Sequence, residues 1–441
     1  MSDPSPFRTR RDRLLALIGE RGGGVAVVPT APEAIRNRDT HYRYRHDSYF
    51  YYLTGFREPE AVLLLVAGDS PKSILLCREK DPEREIWDGF RHGPEGARER
   101  FGIDEAHAID IVDEVLAEIL ADQPAIYFSL GHDATWDGRL TRALNTVRAN
   151  ARSGATAPPT IHDVRTLLDE MRLVKDDSEI ALMRRAAAIS VEAHRQAMRT
   201  ARPGVFEYEV EAVVEQAFRR AGAQAPAYPS IVASGPNACV LHYVENERRM
   251  ADGDLLLIDA GCELDGYASD ITRSFPVGGR FAGAQRDIYQ LVLDAQHAAV
   301  REIRPGAPWN APHDAAVAVL ARGLIDLGLL NGSLDTVLEN HDYRRFYMHR
   351  TGHWLGLDVH DAGEYKQGGD WRPLTPGMML TVEPGCYVRP AEDVPEAFWN
   401  IGVRIEDDAL VTADGCELIT AGAPKTIDDI EQWMAAGDAG A

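Results

Sequence analysis

The stretch Leu255-Leu256-Leu257-Ile258-Asp259-Ala260-Gly261-Cys262-Glu263-Leu264-Asp265-Gly266-Tyr267-Ala268-Ser269-Asp270 reads as an apolar strand ending in an acid, a turn-rich segment, and a second strand that starts at Tyr267 and runs to Phe275. A hairpin centred between Leu264 and Asp265 sets Asp259 directly opposite Asp270. Opposed side chains on one face of a sheet have Cβ atoms roughly 4.5–5.5 Å apart, and like charges so placed destabilise the pair. The run Leu255–Ile258 is apolar enough for a buried setting, where a cation between the acids would remove the conflict. The alternatives are that both acids face solvent, or that the strands pair in another register.

Two further acids follow apolar β-like runs. Met379-Leu380-Thr381-Val382 leads into Glu383, and Val403-Arg404-Ile405 leads into Glu406. One acid at a strand end is ordinarily a solvated terminus, but four are harder to dismiss together. Ile258-Asp259-Ala260-Gly261-Cys262 also echoes Val382-Glu383-Pro384-Gly385-Cys386, which suggests duplicated half-domains facing each other. Carboxylate oxygens suit hard or borderline cations such as manganese. Cys262 and Cys386 follow their acids by three positions, which places them on the opposite strand face and outside a ligand set.

Three of the 14 histidines, His349, His353 and His360, fall within twelve residues, and Gly352 and Gly356 among them argue against a helix. One histidine completes an oxygen-rich site. The others suit proton transfer or oxyanion stabilisation, with a structural hydrogen bond as the plain alternative for each.

Outward from this region the chain is mixed. Arg8 to Glu20 reads as a helix, and Val25–Val28, Ala61–Ala67 and Ser73–Cys77 as buried strands. Asp110 to Ala121 reads as helix and Ala125 to Phe128 as strand. The polar, Pro-containing run Ala151 to Pro159 marks a domain boundary, followed by a connecting helix over Ile161 to Leu173. The domains expected are therefore 1–173 and 174–441. In the second, helices are expected from Asp176 to about Thr200, over Phe206 to Phe218, and over Ala284–Arg301 and Asn310–Leu327. Strands are expected at Met379–Glu383, Gly402–Asp407 and Ala409–Thr412. The class is α+β, with helices outside a largely antiparallel sheet.

A net charge of −22 over 441 residues argues against a nucleic-acid partner. The five cysteines include no Cys-x-x-Cys pair. No stretch approaches the roughly 18 apolar residues of a membrane span, and the N-terminus has no signal-like apolar run, so a cytoplasmic location is expected.

These residues resemble the pita-bread metallopeptidases, which include methionine aminopeptidase, prolidase and aminopeptidase P. The resemblance is carried by Leu257–Gly261, Asp270–Arg273, His353–Asp361, Thr381–Gly385 and Arg404–Asp407. Tyr49–Ala61 and Leu241–Asn246 resemble the bacterial aminopeptidase P subgroup. The resemblance implies a C-terminal pita-bread catalytic domain and a smaller N-terminal α/β domain serving substrate access and oligomer contacts. It implies that Asp259, Asp270 and Glu406 hold one metal, and that Asp270, His353, Glu383 and Glu406 hold or bridge to the other. Two manganese ions per subunit are implied, with other divalent ions possible. His242, His349 and His360 fall on active-site positions, and Glu383 would take the proton of the attacking water. Arg404 and Tyr387 would support the ligands or contact substrate, and Trp87 would line the proline pocket. The activity implied is release of the N-terminal residue from peptides with proline second, through a hydroxide bridging two metals. Prolidase is the alternative, disfavoured by Tyr49–Ala61 and by the wording of His349–Asp361. A homotetramer or homodimer is expected.

Overall fold

The computed structural model describes residues 5–436. The chain divides into two compact units, Met1–Arg172 and Leu173–Ala441. The first is built on one six-stranded sheet with spatial order Glu105–Ala108, Lys72–Cys77, Val62–Ala67, Gly24–Pro29, Ile126–Tyr127, Ile161–His162. Gly24–Pro29 pairs antiparallel with Val62–Ala67 and parallel with Ile126–Tyr127. Val25, Val27, Leu64 and Leu76 project into a core closed by Leu116, Leu120, Leu140 and Leu144 of two covering helices. The distinctive Tyr49–Ala61 segment forms the helix Ser48–Thr54, capped by the Asp47 carboxylate and stopped at Gly55. Gly55 adopts φ 66° with its Cα against Phe7, where an added Cβ would lie 2.6 Å from the ring. No side-chain-bearing residue fits that turn without moving Phe7.

The connecting helix begins later than expected, at Arg165. Ile161–His162 instead extends the sheet, and Asp163 accepts a hydrogen bond from the Arg165 amide (3.0 Å), which starts the helix there. Helix Asp177–Thr200 opens with a capping box between Asp176 and Glu179. Glu207–Arg220, Gly283–Arg301 and Ala311–Asp326 follow close to expectation.

All strand pairs of the second unit, among the described residues, are antiparallel. The four acids sit on two bent hairpins. The first goes out through Leu255–Asp259 and Cys262–Leu264 and returns through Tyr267–Ala268 and Thr272–Pro276. Its turn is Asp265-Gly266, with φ of 51° and 86°. Positive φ at both central residues is the type I′ turn, for which Asp-Gly is a strong signal. The hairpin is therefore centred one residue later than the expected Leu264/Asp265. Asp259 pairs with Thr272, not with Asp270. Asp270 lies two residues from Thr272, on the same face and diagonal to Asp259. The expected continuous strand from Tyr267 to Phe275 breaks at Ser269–Ile271. There Gly261 approaches so closely that a Cβ would lie 1.7 Å from the Ser269 carbonyl oxygen.

The second hairpin goes out through Met379–Val382 and Gly385–Val388 and returns through Ile401–Arg404 and Asp407–Val411. Val382 pairs with Asp407 and Gly385 with Arg404, so the register is the same on both sides of the bend. Glu383 and Glu406 fall opposite each other at that bend. The expected strand Gly402–Asp407 is thus interrupted at Ile405–Glu406. Both hairpins bend where their acids sit, which gives the sequence echo a structural basis. Cys262 and Cys386 face the apolar core, where Cys262 Sγ lies 3.4 Å from the Ala186 carbonyl oxygen.

Candidate active site

The two bends are joined by hydrogen bonds between the hairpins. The Glu406 amide donates to the Thr272 carbonyl (3.0 Å), and Thr272 Oγ1 donates to Glu406 Oε2 (2.6 Å). The Asp270 amide donates to Asp408 Oδ2 (3.1 Å). His353 arrives on a separate segment. Its amide donates to Thr381 Oγ1, and the Thr381 amide donates back to the His353 carbonyl (2.9 Å). Asp270, His353 and Glu406 thereby bring ligand atoms within 4.8 Å of one another. His353 Nε2 lies 3.5 Å from Asp270 Oδ2 and 3.7 Å from Glu383 Oε1. Its Nδ1 is 2.9 Å from the Trp354 carbonyl. A carbonyl only accepts, so Nδ1 carries a proton and Nε2 is the atom left to face the acids.

Asp259 completes the set from the side. Its Oδ1 accepts from the Tyr228 hydroxyl (2.6 Å), which also bonds Asp270 Oδ1, and its Oδ2 accepts from Arg404 Nη2 (2.6 Å). Arg404 Nη1 donates to the Tyr387 hydroxyl (3.0 Å). That hydroxyl in turn donates to His349 Nε2 (2.8 Å), because the neutral ring keeps its proton on Nδ1, which faces a carbonyl. His349 Nδ1 then donates to the Arg350 carbonyl (2.7 Å).

Charge crowding is the dominant electrostatic fact. Burial, then the neighbouring Asp259, pushes the Asp270 carboxyl above its ordinary range. Burial raises Glu383 to about 7 against the opposing pull of His353 and Arg404. Burial and the surrounding acids hold Glu406 well above the carboxylate range, and Asp408 likewise. For His353 burial opposes the proton, but Asp270 and Glu383 outweigh it and raise the ring to about 9. Burial, then Arg404, pushes His349 down to about 3, which keeps it neutral in its hydrogen-bonded chain. His360 packs against His353 with ring centroids 4.4 Å apart and is lowered by burial and then by that ring.

Two buried carboxylates, Asp270 and Glu406, two half-buried ones, Asp259 and Glu383, and one imidazole with Nε2 turned inward match hard or borderline divalent cations. A cation would relieve the penalty that raises the acid pKa values.

Asp259, Asp270, His353, Glu383 and Glu406 share one cavity of about 800 Å³ with His242, His349, His360 and Arg404. Tyr387 is 1 % exposed and stands behind Arg404 and His349, so any influence on substrate passes through them. Trp87 lies in the first unit on helix Pro82–Asp88 and is 85 % exposed. Sequence reasoning missed Tyr228, Asp408 and the aromatic wall formed by Trp309, Tyr365 and Trp371. Tyr228 lies in an irregular, Pro-flanked stretch with no periodicity to orient it. Asp408 passes as an ordinary strand residue.

Residues 181–413 match metallopeptidase family M24, and residues 7–127 match the aminopeptidase P N-terminal domain. The Xaa-Pro aminopeptidase of Escherichia coli (strain K12) is 45% identical over 432 residues, covering 98% of this chain and 97% of the relative. That of Haemophilus influenzae is 45% identical over 429 residues, 97% of this chain and 96% of the relative. The solved structure of Pseudomonas aeruginosa aminopeptidase PepP superposes with a TM-score of 0.97 at 49% identity, covering 99% of both chains. Zinc-substituted E. coli aminopeptidase P in complex with product gives a TM-score of 0.96 at 44% identity, also over 99% of both. With its N-terminal α/β unit and its C-terminal pita-bread unit, the chain belongs to metallopeptidase family M24 and, within it, to the aminopeptidase P enzymes.

Proposed function

We propose that this enzyme releases the N-terminal residue from peptides with proline second, using two divalent ions held by Asp259, Asp270, His353, Glu383 and Glu406. The observation that carries this is the meeting of four carboxylates at the bends of two hairpins with the imidazole of His353, inside one cavity. When bound, such ions supply Lewis acidity and a water that ionises near neutral pH. Manganese is the ion we assign.

The remaining steps belong to the chain's own groups. Glu383, at the bend facing the cavity, takes the proton of the attacking water and passes it to the leaving nitrogen. His242 and His360 both face the cavity, and one of the two donates to the carbonyl oxygen as charge develops on it. The acidic wall favours a free N-terminal ammonium, which accounts for exopeptidase action. Arg404 holds Asp259 in place and, through Tyr387, fixes the orientation of His349. A prolyl amide has no hydrogen and a fixed φ, so peptidases that bind through that N–H handle it poorly.

A cytoplasmic homotetramer or homodimer with contacts through the first unit remains our reading of the assembly. Among the described residues no helix is long and apolar enough to cross a membrane. Trp87 keeps only the role that the family resemblance implies for it.

Steady-state assays of manganese-loaded enzyme on Xaa-Pro dipeptides and on longer Xaa-Pro peptides test the proposal. Turnover of the longer peptides is expected. Turnover of dipeptides alone would make the enzyme a prolidase, and no turnover of either would overturn the reading.

A further inference from the structure

His242 stands on an irregular segment, between the turn Gly235–Cys239 and Asn246, and its side chain is exposed. Leu241, His242 and Val244 all face the cavity, yet no helix or strand fixes them. The support comes from elsewhere in the unit. Glu207, the first residue of helix Glu207–Arg220, is fully buried. Its Oε1 accepts from the Ser234 amide and hydroxyl (both 2.7 Å) and from Asn237 Nδ2 (3.2 Å). Its Oε2 accepts from the Tyr243 hydroxyl and the Arg248 amide (both 2.8 Å).

We infer that Glu207 is a positioning residue for His242, its carboxylate tying down both ends of the loop that carries this histidine into the cavity. All five donors belong to the loop and its two ends. The Tyr243 hydroxyl, next in sequence to His242, also accepts from the Glu247 amide (3.2 Å). Arg248 Nη1 closes the ring by donating to Ser234 Oγ and to Asp254 Oδ2 (both 2.6 Å). Asn246, fully buried at φ 50°, pins the far end by accepting from the Val232 amide (2.9 Å) and donating to the Ser230 carbonyl (2.8 Å). Hydrogen bonds to a buried carboxylate are stronger than neutral ones. Losing the acceptor would leave several donors unpaired and free the loop from its base.

The inference rests on the proposed role of His242 at the reacting carbonyl, and the test separates the two. Manganese-loaded Tyr243→Phe, Glu207→Gln, His242→Ala and the Tyr243→Phe/His242→Ala double variant are compared by hydrogen exchange over 234–248 and by kinetics on an Xaa-Pro-Yaa peptide. Tyr243→Phe, the milder change, is expected to speed exchange in the loop and lower kcat about tenfold. KM should stay within about twofold. Glu207→Gln gives the same pattern more strongly. The double variant is no slower than His242→Ala, because a misplaced loop has no histidine left to misplace. Full additivity, or unchanged loop exchange, would overturn the inference alone. Undiminished kcat in His242→Ala would overturn the His242 assignment and the inference with it.

Discussion

Asp259 and Asp270, diagonal to each other across the first hairpin, share one hydroxyl: Tyr228 lies 2.6 Å from Asp259 Oδ1 and bonds Asp270 Oδ1 as well. Its hydroxyl ties the two carboxylates to each other, beside the hold that Arg404 has on Asp259. Outer partners of this kind typically change metal affinity about 10–100-fold when removed. Tyr228→Phe is therefore expected to weaken divalent metal binding at least about tenfold, measured by competition with a fluorescent chelator. Unchanged affinity would show that the two acids orient themselves.

Removal of metal should expose the charge crowding as a pH effect. Asp270, Glu383 and Glu406 have folded-state values above their unfolded ones, with Glu383 at about 7. Such acids bind more protons folded than unfolded, so they favour folding at low pH and lose that contribution as pH rises. His353, raised to about 9, acts in the same direction. Chelator-stripped enzyme should show a higher Tm at pH 6.5 than at pH 8, and loading with manganese should flatten that window. A stripped enzyme insensitive to pH across it would contradict the crowding.

Below that window a different set of groups takes over. In the first unit His46 is buried and stacked on Tyr51 with centroids 4.0 Å apart. Burial, then Arg45, lowers it to about 3. A depressed histidine keeps the native state neutral while the unfolded chain takes up a proton. Stability is thus full above about pH 6.5 and falls toward pH 3, by up to about 1.4 kcal/mol per pH unit. His46→Phe retains the stacking and is expected to lessen the fall in denaturant-measured stability between pH 6.5 and 5. An unaltered slope would assign the acid sensitivity to other groups.

Gly352 controls the approach of the histidine ligand. A Cβ there would lie 2.0 Å from the Thr381 carbonyl oxygen, a backbone atom of the strand that exchanges hydrogen bonds with His353. Gly352→Ala is expected to push the His353 segment off that strand and reduce kcat by about 100-fold. The helical circular-dichroism signal should stay near normal. Near-normal kcat would show that the segment tolerates the shift.

Much of this site was legible in sequence because acids at the ends of apolar runs are chemically conspicuous. Asp259, Asp270, Glu383 and Glu406 stood out for that reason, and the histidine cluster for its density. The register of the first hairpin is also written there, in Asp265-Gly266, whose type I′ turn centres it one residue beyond Leu264/Asp265. Asp259 and Asp270 are therefore diagonal and bridged by Tyr228, not directly opposed. Tyr228, Asp408 and the Glu207 clamp were illegible for a common reason. Each acts through contacts between segments distant in sequence, and none has a local pattern that gives its direction. The breaks at Ser269–Ile271 and Ile405–Glu406 lie across their hairpins from Gly261 and Pro384, so no breaker within those residues announces them.

The central claim is that five side chains on these two hairpins and the His353 segment hold two catalytic ions. Titrating manganese into chelator-stripped enzyme while following release of the N-terminal residue from an Xaa-Pro-Yaa peptide tests it most directly. The account predicts a rate that climbs to its maximum at two ions per chain and no activity in Asp270→Ala at any loading. A maximum at one ion, or full activity in Asp270→Ala, would contradict it.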